Sequence, residues 1–472
     1  MRTRIKIERP DGGGFARGYD EAVHGNASYF VWLNRGKESL TLGIKSEQGR
    51  TVLTELLCLS RDMGVVGQEQ GFEAAVLQQP TELTGCDSLL GREHDDAEFQ
   101  FCTFAAGYRT DRETATEHIL GSGMAKGAGT PTGSWRVCSV ARVVRFHALG
   151  GPEVLVLEEV ELEQPQAGEV LLDVEAIGLN RSEANFRRDR YLDRVKALPS
   201  GLGYEGTGRV VAVGDGVTGF APGDAVSVLP VFKQSQYHMY GDQAVVPAGA
   251  LVHRPDSVDA VAGAAIWMPF LTAYGALCDV GRLRAGDHVV VTAASSSVGL
   301  AALQVANRIG AIPIATTNDP GKVERLHQEG AAHVVVAGSD RMNEELWEAT
   351  GGQGAAMVFD AVAGPEVEQL ARAISPDGTL FIHGKLSGQP TPMPGLDAMR
   401  PVFVRPYTVF EITDVPERRR RAERYVASGV ETGMLHPVID GMFDLDDIVA
   451  AHERLESGAQ LGKIVVTVTP PE

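Results

Sequence analysis

The sequence predicts an α/β protein in which a doubly wound parallel sheet is joined to a β-rich domain, with a partial α/β appendage at the N-terminus. Three observations carry this. After Ala262, strand-like and helix-like stretches alternate: "HVVVTA", "VGLAALQVANRIG", "AIPIATT", "PGKVERLHQEG", "HVVVAG", "GAAMVFDAV" and "GTLFIHG". Alternation of this kind calls for parallel strands with helices on both faces. Ahead of it, "GEVLLDVEAIGLN", "GTGRVVAVGDGV" and "PGDAVSV" read as short strands bounded by glycine turns. The closing stretch, ending "LGKIVVTV", returns to helix and strand and is expected to complete the β-rich domain.

With 472 residues, 43% hydrophobic and 22% charged, the chain has room for two or three globular domains. A formal net charge of -19 argues against a nucleic-acid partner or an anionic membrane surface. No run is expected to reach the roughly 18 apolar residues of a membrane span. The opening "MRTRIKIERPDGGG" lacks the apolar core of a signal peptide. The 5 cysteines (Cys58, Cys86, Cys102, Cys138 and Cys278) form no CxxC pair, so neither a disulfide framework nor a zinc knuckle is expected. A cytoplasmic location follows from that reading. The twelve histidines show no ligand spacing and are expected at the surface or satisfied in the core. From Cys58 to about Val140 the apolar pattern breaks down, and "GREHDDAEFQ" and "GSGMAKGAGTPTGS" have linker composition. Poor order is expected there.

"VVVTAASSSVGLAALQVANRIGA" places a strand, a tight loop and a helix in succession. In the helix, Val298, Ala301, Ala302, Val305 and Ile309 fall on one face. Serines before it suit capping of the first turn. The loop spacing Ala293-x-x-Ser296-x-x-Gly299 keeps a small residue at each key position. Backbone amides and the positive helix end remain able to meet a pyrophosphate at Ala294, Ser295, Ser296, Ser297, Val298 and Gly299.

These stretches, with "GAAIWMPFLTAYGAL" and "SGLGYEGTGRVVAVGDGVTGFAPGDAV", resemble the medium-chain dehydrogenase/reductase superfamily, nearest its zinc-independent quinone oxidoreductases, the zeta-crystallin-like branch. The likeness runs from about Ala141 to Val468. It implies a GroES-like β-rich catalytic domain interrupted by a Rossmann cofactor domain. The expected organisation is a GroES-like first part over 141–266, a Rossmann domain over 267–405 and a return over 406–472. It implies a small-molecule substrate, a quinone or enone, and a homodimer or homotetramer. An enoyl or alkenal reductase, or an alcohol dehydrogenase-like enzyme, shares the same motifs. A non-catalytic nucleotide-binding protein is a further alternative.

Zinc-holding members place a cysteine near "GLNRSE" and a histidine in a "GHE" motif; here those positions carry Asn180 and Tyr204, with Glu205 remaining. Amide and phenol replace thiolate and imidazole poorly, so no metal is expected. The resemblance implies that Asn180 and Tyr191 line the cleft and stabilise charge on the substrate carbonyl. It implies that Thr272 contacts the nicotinamide, with a buried hydroxyl bonded to backbone as the other reading. Glu183 is read as a branch acidic residue or a surface ion-pair partner.

The second strand ends in Thr316, Thr317 and Asn318, which do not repel a 2′-phosphate, and Lys322 follows. NADPH is the expected cofactor. Asp319 is placed beyond the strand end, and Pro313 inside the strand has no account from sequence. Gly384, Lys385 and Arg405 match later cofactor-side loops of the family, whereas Ala337 replaces a frequent tyrosine.

At the front, "NRGKESLTLGIKSEQGR" within residues 1–57 resembles the N-terminal part of class III CoA-transferases. Residues 58–140 then read as a linker. The resemblance covers a small fraction of that fold and lacks its aspartate nucleophile, so no transferase activity is expected. A CoA-transferase remnant is the corresponding alternative.

Overall fold

The computed structural model describes residues 5–8, 38–41, 63–67, 99–103, 137–395 and 401–468. The chain divides into two compact units, Met1–Ala128 and Gly129–Glu472. In the first, β1 (Ile5–Glu8) pairs in parallel with β2 (Glu38–Thr41). Strand β3 (Met63–Gly67) pairs antiparallel with β4 (Phe99–Thr103). That pair lies inside the stretch expected to be poorly ordered; the remainder of 58–136 lies outside the described residues.

The second unit opens with the hairpin β5 (Val137–Phe146) and β6 (Leu155–Glu163). It continues with β7 (Glu169–Gly178), helix α1 (Arg181–Arg187), β8 (Glu205–Val213), β9 (Ala225–Val228), β10 (Gln243–Pro247) and β11 (Leu251–His253). Helix α2 (Ala260–Tyr274) crosses to the parallel-sheet domain and runs on into a π-helical turn, Gly275–Val280. Those 21 residues are long and apolar enough to span a membrane, which the sequence reading missed. They are mostly buried as the core helix against β7 and β8.

Strand β12 (His288–Val291) leads into helix α3 (Ser297–Ile309). Strands β13 (Ile312–Thr317), β14 (His333–Val336), β15 (Ala355–Asp360), β16 (Ile374–Ile382) and β17 (Phe403–Pro406) complete the domain's sheet. Helices α4 (Val323–Gln328), α5 (Met342–Ala349) and α6 (Val367–Arg372) lie between them. All six strands are parallel, in the order β14-β13-β12-β15-β16-β17. Strand order therefore reverses at β12, where open α/β sheets bind ligands beyond the strand ends. Val289, Val290 and Val291 of β12 are fully buried because helices cover both faces.

Helix α3 is buried nearly all round through its middle, not only along the stripe read from sequence. It ends at Gly310, φ 87°, with the Ala311 amide reaching back 2.9 Å to the Ala306 carbonyl. Pro313 costs no ladder bond. Its carbonyl accepts from Ala332 on the β14 side, and pairing with β14 begins one residue later at Ile314.

After helices α7 (Phe410–Thr413) and α8 (Pro416–Glu431), the chain returns to the first sheet with β18 (Ile439–Asp444), α9 (Ile448–Ser457) and β19 (Lys463–Thr467). Strand β19 pairs antiparallel with β7 and parallel with β18. The seven-stranded sheet runs β11-β9-β8-β7-β19-β18, with β10 also on β7. The closing strands therefore lie in the same sheet as β7 and β8.

Candidate active site

The turn between β12 and α3 sits at the point where strand order reverses. Ala293 there has φ 46°, a left-handed conformation that glycine adopts freely and alanine only under strain. The Ser296 hydroxyl caps α3, accepting from the Gly299 amide at 3.1 Å. A Cβ on Gly299 would stand 2.7 Å from the Ala294 Cα and carbonyl oxygen, which explains why this glycine remains. Beneath the loop, the Thr292 hydroxyl donates to Asp360 at 2.7 Å, and Asp360 accepts the Val362 and Ala363 amides at 2.9 Å each. Burial pushes the Asp360 carboxyl upward, while these donors pull it back. The ends of β12 and β15 are therefore fixed together. The first-turn amides of Ser297 and Val298 precede any intrahelical acceptor and lie at the helix's positive end, where an anionic group is favoured.

The loop is joined to the other domain. The Gly462 amide donates to the Ser295 carbonyl at 2.9 Å. The Lys322 ammonium donates to the Ser295 hydroxyl at 3.2 Å and to the Gly458 and Gln460 carbonyls at 3.3 and 3.0 Å. Lys322 is thus next to the loop, as required of a phosphate ligand, but its three donors already have acceptors. Burial lowers its pKa. Thr316 and Thr317 are buried at the end of β13, with Asn318 just past it. Asp319 does lie beyond the strand, and its carboxylate accepts the Gly321 amide at 2.9 Å. Gly384 packs where a Cβ would meet the Ala361 carbonyl at 2.4 Å. Lys385 donates to the Arg190 carbonyl at 3.0 Å, and Arg405 pairs with Glu411 at 2.6 Å. Ala337 follows β14, donating its amide to the Thr317 carbonyl at 2.8 Å.

Opposite this loop lies a buried ionic cluster. Lys463, 1% exposed at the start of β19, donates to Glu205 at 2.6 Å and to the Asn180 side-chain oxygen at 2.7 Å. The second Glu205 oxygen accepts the Met268 amide at 2.8 Å, next to Pro269, where helix α2 cannot continue its own ladder. The Asn180 side-chain nitrogen donates to the Gly178 carbonyl at 3.1 Å and to Glu183 at 3.4 Å. Both amide hydrogens are therefore spent inside the protein, which leaves none for a substrate carbonyl in this arrangement. Glu183 is fully buried, not the surface partner that was the other reading. Its carboxylate accepts the Asn180 backbone amide at 2.8 Å and the Ser182 hydroxyl at 3.1 Å. Burial pushes its pKa up to about 7, with Lys463 pulling the other way. Thr272 donates to the Met268 carbonyl of its own helix, as a buried hydroxyl bonded to backbone.

Tyr191, on the loop after α1, is half-buried and meets Tyr204 edge-on, ring centroids 6.2 Å apart. Tyr204 also packs against Phe232 at 5.7 Å and Phe410 at 5.9 Å. Burial raises both phenols well above the usual tyrosine range, so both are protonated donors. Sequence reasoning missed Lys463, because it finds its role only through partners distant in the chain. Among the histidines, His452 is buried with Nε2 3.2 Å from the Tyr240 hydroxyl, while its Nδ1 has no partner. Burial holds it down to about 3.

An amide oxygen and a carboxylate that share one ammonium, together with a high-pKa phenol, do not suit zinc, which takes thiolate, imidazole or a free carboxylate. Among the described residues, no group of three or more His, Cys, Asp or Glu is placed to hold a metal ion. The loop does suit a dinucleotide: small side chains, bare first-turn amides and a left-handed Ala293 allow close backbone approach.

Comparison with known proteins agrees with this architecture. Family models match as "Alcohol dehydrogenase GroES-like domain" over 166–266, "Zinc-binding dehydrogenase" over 329–466 and "CoA-transferase family III" over 5–60. The quinone oxidoreductase of Pseudomonas aeruginosa is 30% identical over 334 residues, covering 69% of this chain and 99% of that protein. The solved quinone oxidoreductase of Pseudomonas syringae superposes with a TM-score of 0.63 at 27% identity, covering 69% of this chain and 99% of that one. A mycobacterial protein complexed with NADPH gives a TM-score of 0.63 at 27% identity, covering 70% of this chain and all, 100%, of that one. The second unit thus carries the GroES-like and Rossmann pair complete, and the chain belongs to the medium-chain dehydrogenase/reductase superfamily as an oxidoreductase related to the quinone oxidoreductases, with a CoA-transferase family III stretch ahead of it.

Proposed function

We propose that this chain reduces a quinone, or an alkene conjugated to a carbonyl, with NADPH and without a metal. The observation that carries the reading is that two features are joined by one backbone hydrogen bond. A phosphate-ready turn opens α3, and the Gly462–Ser295 bond ties it to the strand bearing Lys463. Ala294, Ser295, Ser296, Ser297, Val298 and Gly299 would hold the pyrophosphate. Thr316, Thr317, Asn318 and Lys322 would hold the ribose 2′-phosphate, Lys322 exchanging a backbone carbonyl for it. Gly384, Lys385 and Arg405 would complete the cofactor side, and Thr272 the nicotinamide side.

When bound, the dinucleotide supplies a hydride, two electrons with one hydrogen nucleus, to the acceptor, and one proton from water completes the reduced product. Asn180, locked by Lys463 and Glu183, serves as a fixed wall of the cleft, so the acceptor oxygen falls to the Tyr191 hydroxyl. A protonated phenol there stabilises charge on that oxygen. A soluble homodimer or homotetramer of the cytoplasm is the setting we propose. The test is oxidation of NADPH and NADH with a benzoquinone and an enone, with and without a chelator. NADPH oxidation that survives chelation is expected; loss on chelation, or no uptake of either coenzyme by calorimetry, overturns the reading.

A further inference from the structure

We propose that Tyr204 and Gln234 are positioning residues standing behind Tyr191, forming a donor chain that runs from the Gln234 amide through Tyr204 and Tyr191 to the substrate's carbonyl oxygen. This rests on the function proposed above. Tyr204 and Gln234 are both 0% exposed, yet neither the Tyr204 hydroxyl nor the Gln234 side-chain nitrogen closes a hydrogen bond. Buried polar atoms rarely stay unpaired without a reason. The orientation of Gln234 is set, because its oxygen accepts the Gly203 amide at 3.0 Å. Its NH2 group is therefore the free end.

The free ends converge. Gln234 holds the amide of Gly203, the residue before Tyr204, and the Tyr191 ring stands 6.2 Å from the Tyr204 ring; Tyr191, Glu183 and Gln234 all act on the Tyr204 phenol. The Tyr204 ring also meets the Phe232 and Phe410 rings. The backbone below has no slack: Gly203 has φ +108°, and a Cβ there would stand 2.4 Å from the Tyr240 ring. The loops bearing Tyr191 and Gln234 are tied together by Asp193, which accepts the Ser235 amide at 2.7 Å and its hydroxyl at 2.9 Å.

Donor chemistry gives the chain one direction. An amide NH2 can only donate, so Tyr204 accepts from Gln234 and turns its own hydrogen to Tyr191, which turns its hydrogen outward. Tyr191, half-buried, is the member that a substrate reaches. An acceptor oxygen seated on it closes the chain, and successive hydrogen bonds polarise the terminal donor. That donor meets the oxygen on which charge grows as the hydride arrives.

The experiment is a kinetic cycle on the full chain with NADPH and a benzoquinone, using Tyr191→Phe, Tyr204→Phe, their double variant and Gln234→Leu. NADPH affinity by calorimetry and the thermal midpoint are measured alongside. We expect Tyr191→Phe to lower kcat about 100-fold. Tyr204→Phe and Gln234→Leu should lower it up to about tenfold. The double variant should be no slower than Tyr191→Phe alone, because Tyr204 acts through Tyr191. NADPH affinity should hold in all four variants, and Tyr204→Phe should melt no lower than the unsubstituted protein. An unchanged kcat in Tyr191→Phe or Tyr204→Phe, losses that add in the double variant, or a Tyr204→Phe defect shared by NADPH binding overturns the donor chain. An unsubstituted protein that binds NADPH but reduces neither quinone nor enone overturns the underlying function instead, before any variant is made.

Discussion

Replacing Lys463 by methionine keeps most of the side-chain volume and removes the charge. The ammonium is 1% exposed and bonded at 2.6 Å to Glu205, itself 0% exposed. Without it, Glu205 keeps only the Met268 amide, and the Asn180 oxygen loses its donor. Breaking a buried pair from one side costs about 3–5 kcal/mol, because the remaining charge has no compensation. Adding Glu205→Gln removes that charge and retains an oxygen for Met268, so the double variant should return to within about 1–2 kcal/mol of the original. The second substitution should therefore restore about 2–3 kcal/mol of what the first removes. Urea unfolding followed by tryptophan fluorescence measures it, and Trp267 lies directly beside Met268 in α2. A Lys463→Met variant within about 1 kcal/mol of the original, or a double variant as unstable as the single, would refute the assignment of a compensated buried pair.

Three further outcomes follow from the geometry. Glu183 has its pKa raised from 4.5 to about 7 when folded, so between those values the folded state binds more protons and stability falls as pH rises, by of order 3 kcal/mol; Glu183→Gln should flatten denaturation curves across that window, and an unchanged pH dependence would count against the burial argument. Gly299→Ala places a methyl group 2.7 Å from Ala294 backbone, and should cost about 1–3 kcal/mol in thermal unfolding and weaken NADPH by calorimetry. Lys322→Ala releases Ser295 and the Gly458 and Gln460 carbonyls; NADPH affinity should drop about tenfold and NADH affinity less, and an equal loss for both would remove Lys322 from 2′-phosphate recognition.

The parallel-sheet domain was legible because its strands, such as "HVVV" of β12, are buried on both faces and alternate with capped helices. The same local logic gave the serines before α3 a capping role, which Ser296 takes, and placed Asp319 past β13. The α2 segment reads as ordinary core until its π-helical continuation is seen, so its unbroken length was missed. Side chains whose meaning depends on distant partners stayed hidden. Lys463 looks like a solvated charge before an apolar run, but β19 lies beside β7 and delivers it to Glu205 and Asn180. Asn180 matched a cleft position by resemblance, whereas its free hydrogens can be counted only after Gly178 and Glu183 are placed around it. Composition marked 58–140 as linker and gave no hint of the β3–β4 pair, whose contacts join segments far apart in sequence.

Strand β7 is flanked on one edge by β8, and its Ala176–Gly178 end waits for β19 on the other. During synthesis, the ribosome must therefore release the whole Rossmann insert before that edge can be covered. The insert is contiguous and free to fold first, while the half that forms the rest of the cleft stays incomplete as a nascent chain. A translational pause before Leu461 would leave the β7 edge as a template for stray pairing between chains. Chaperone demand should accordingly peak late in elongation, after the nucleotide fold is already built.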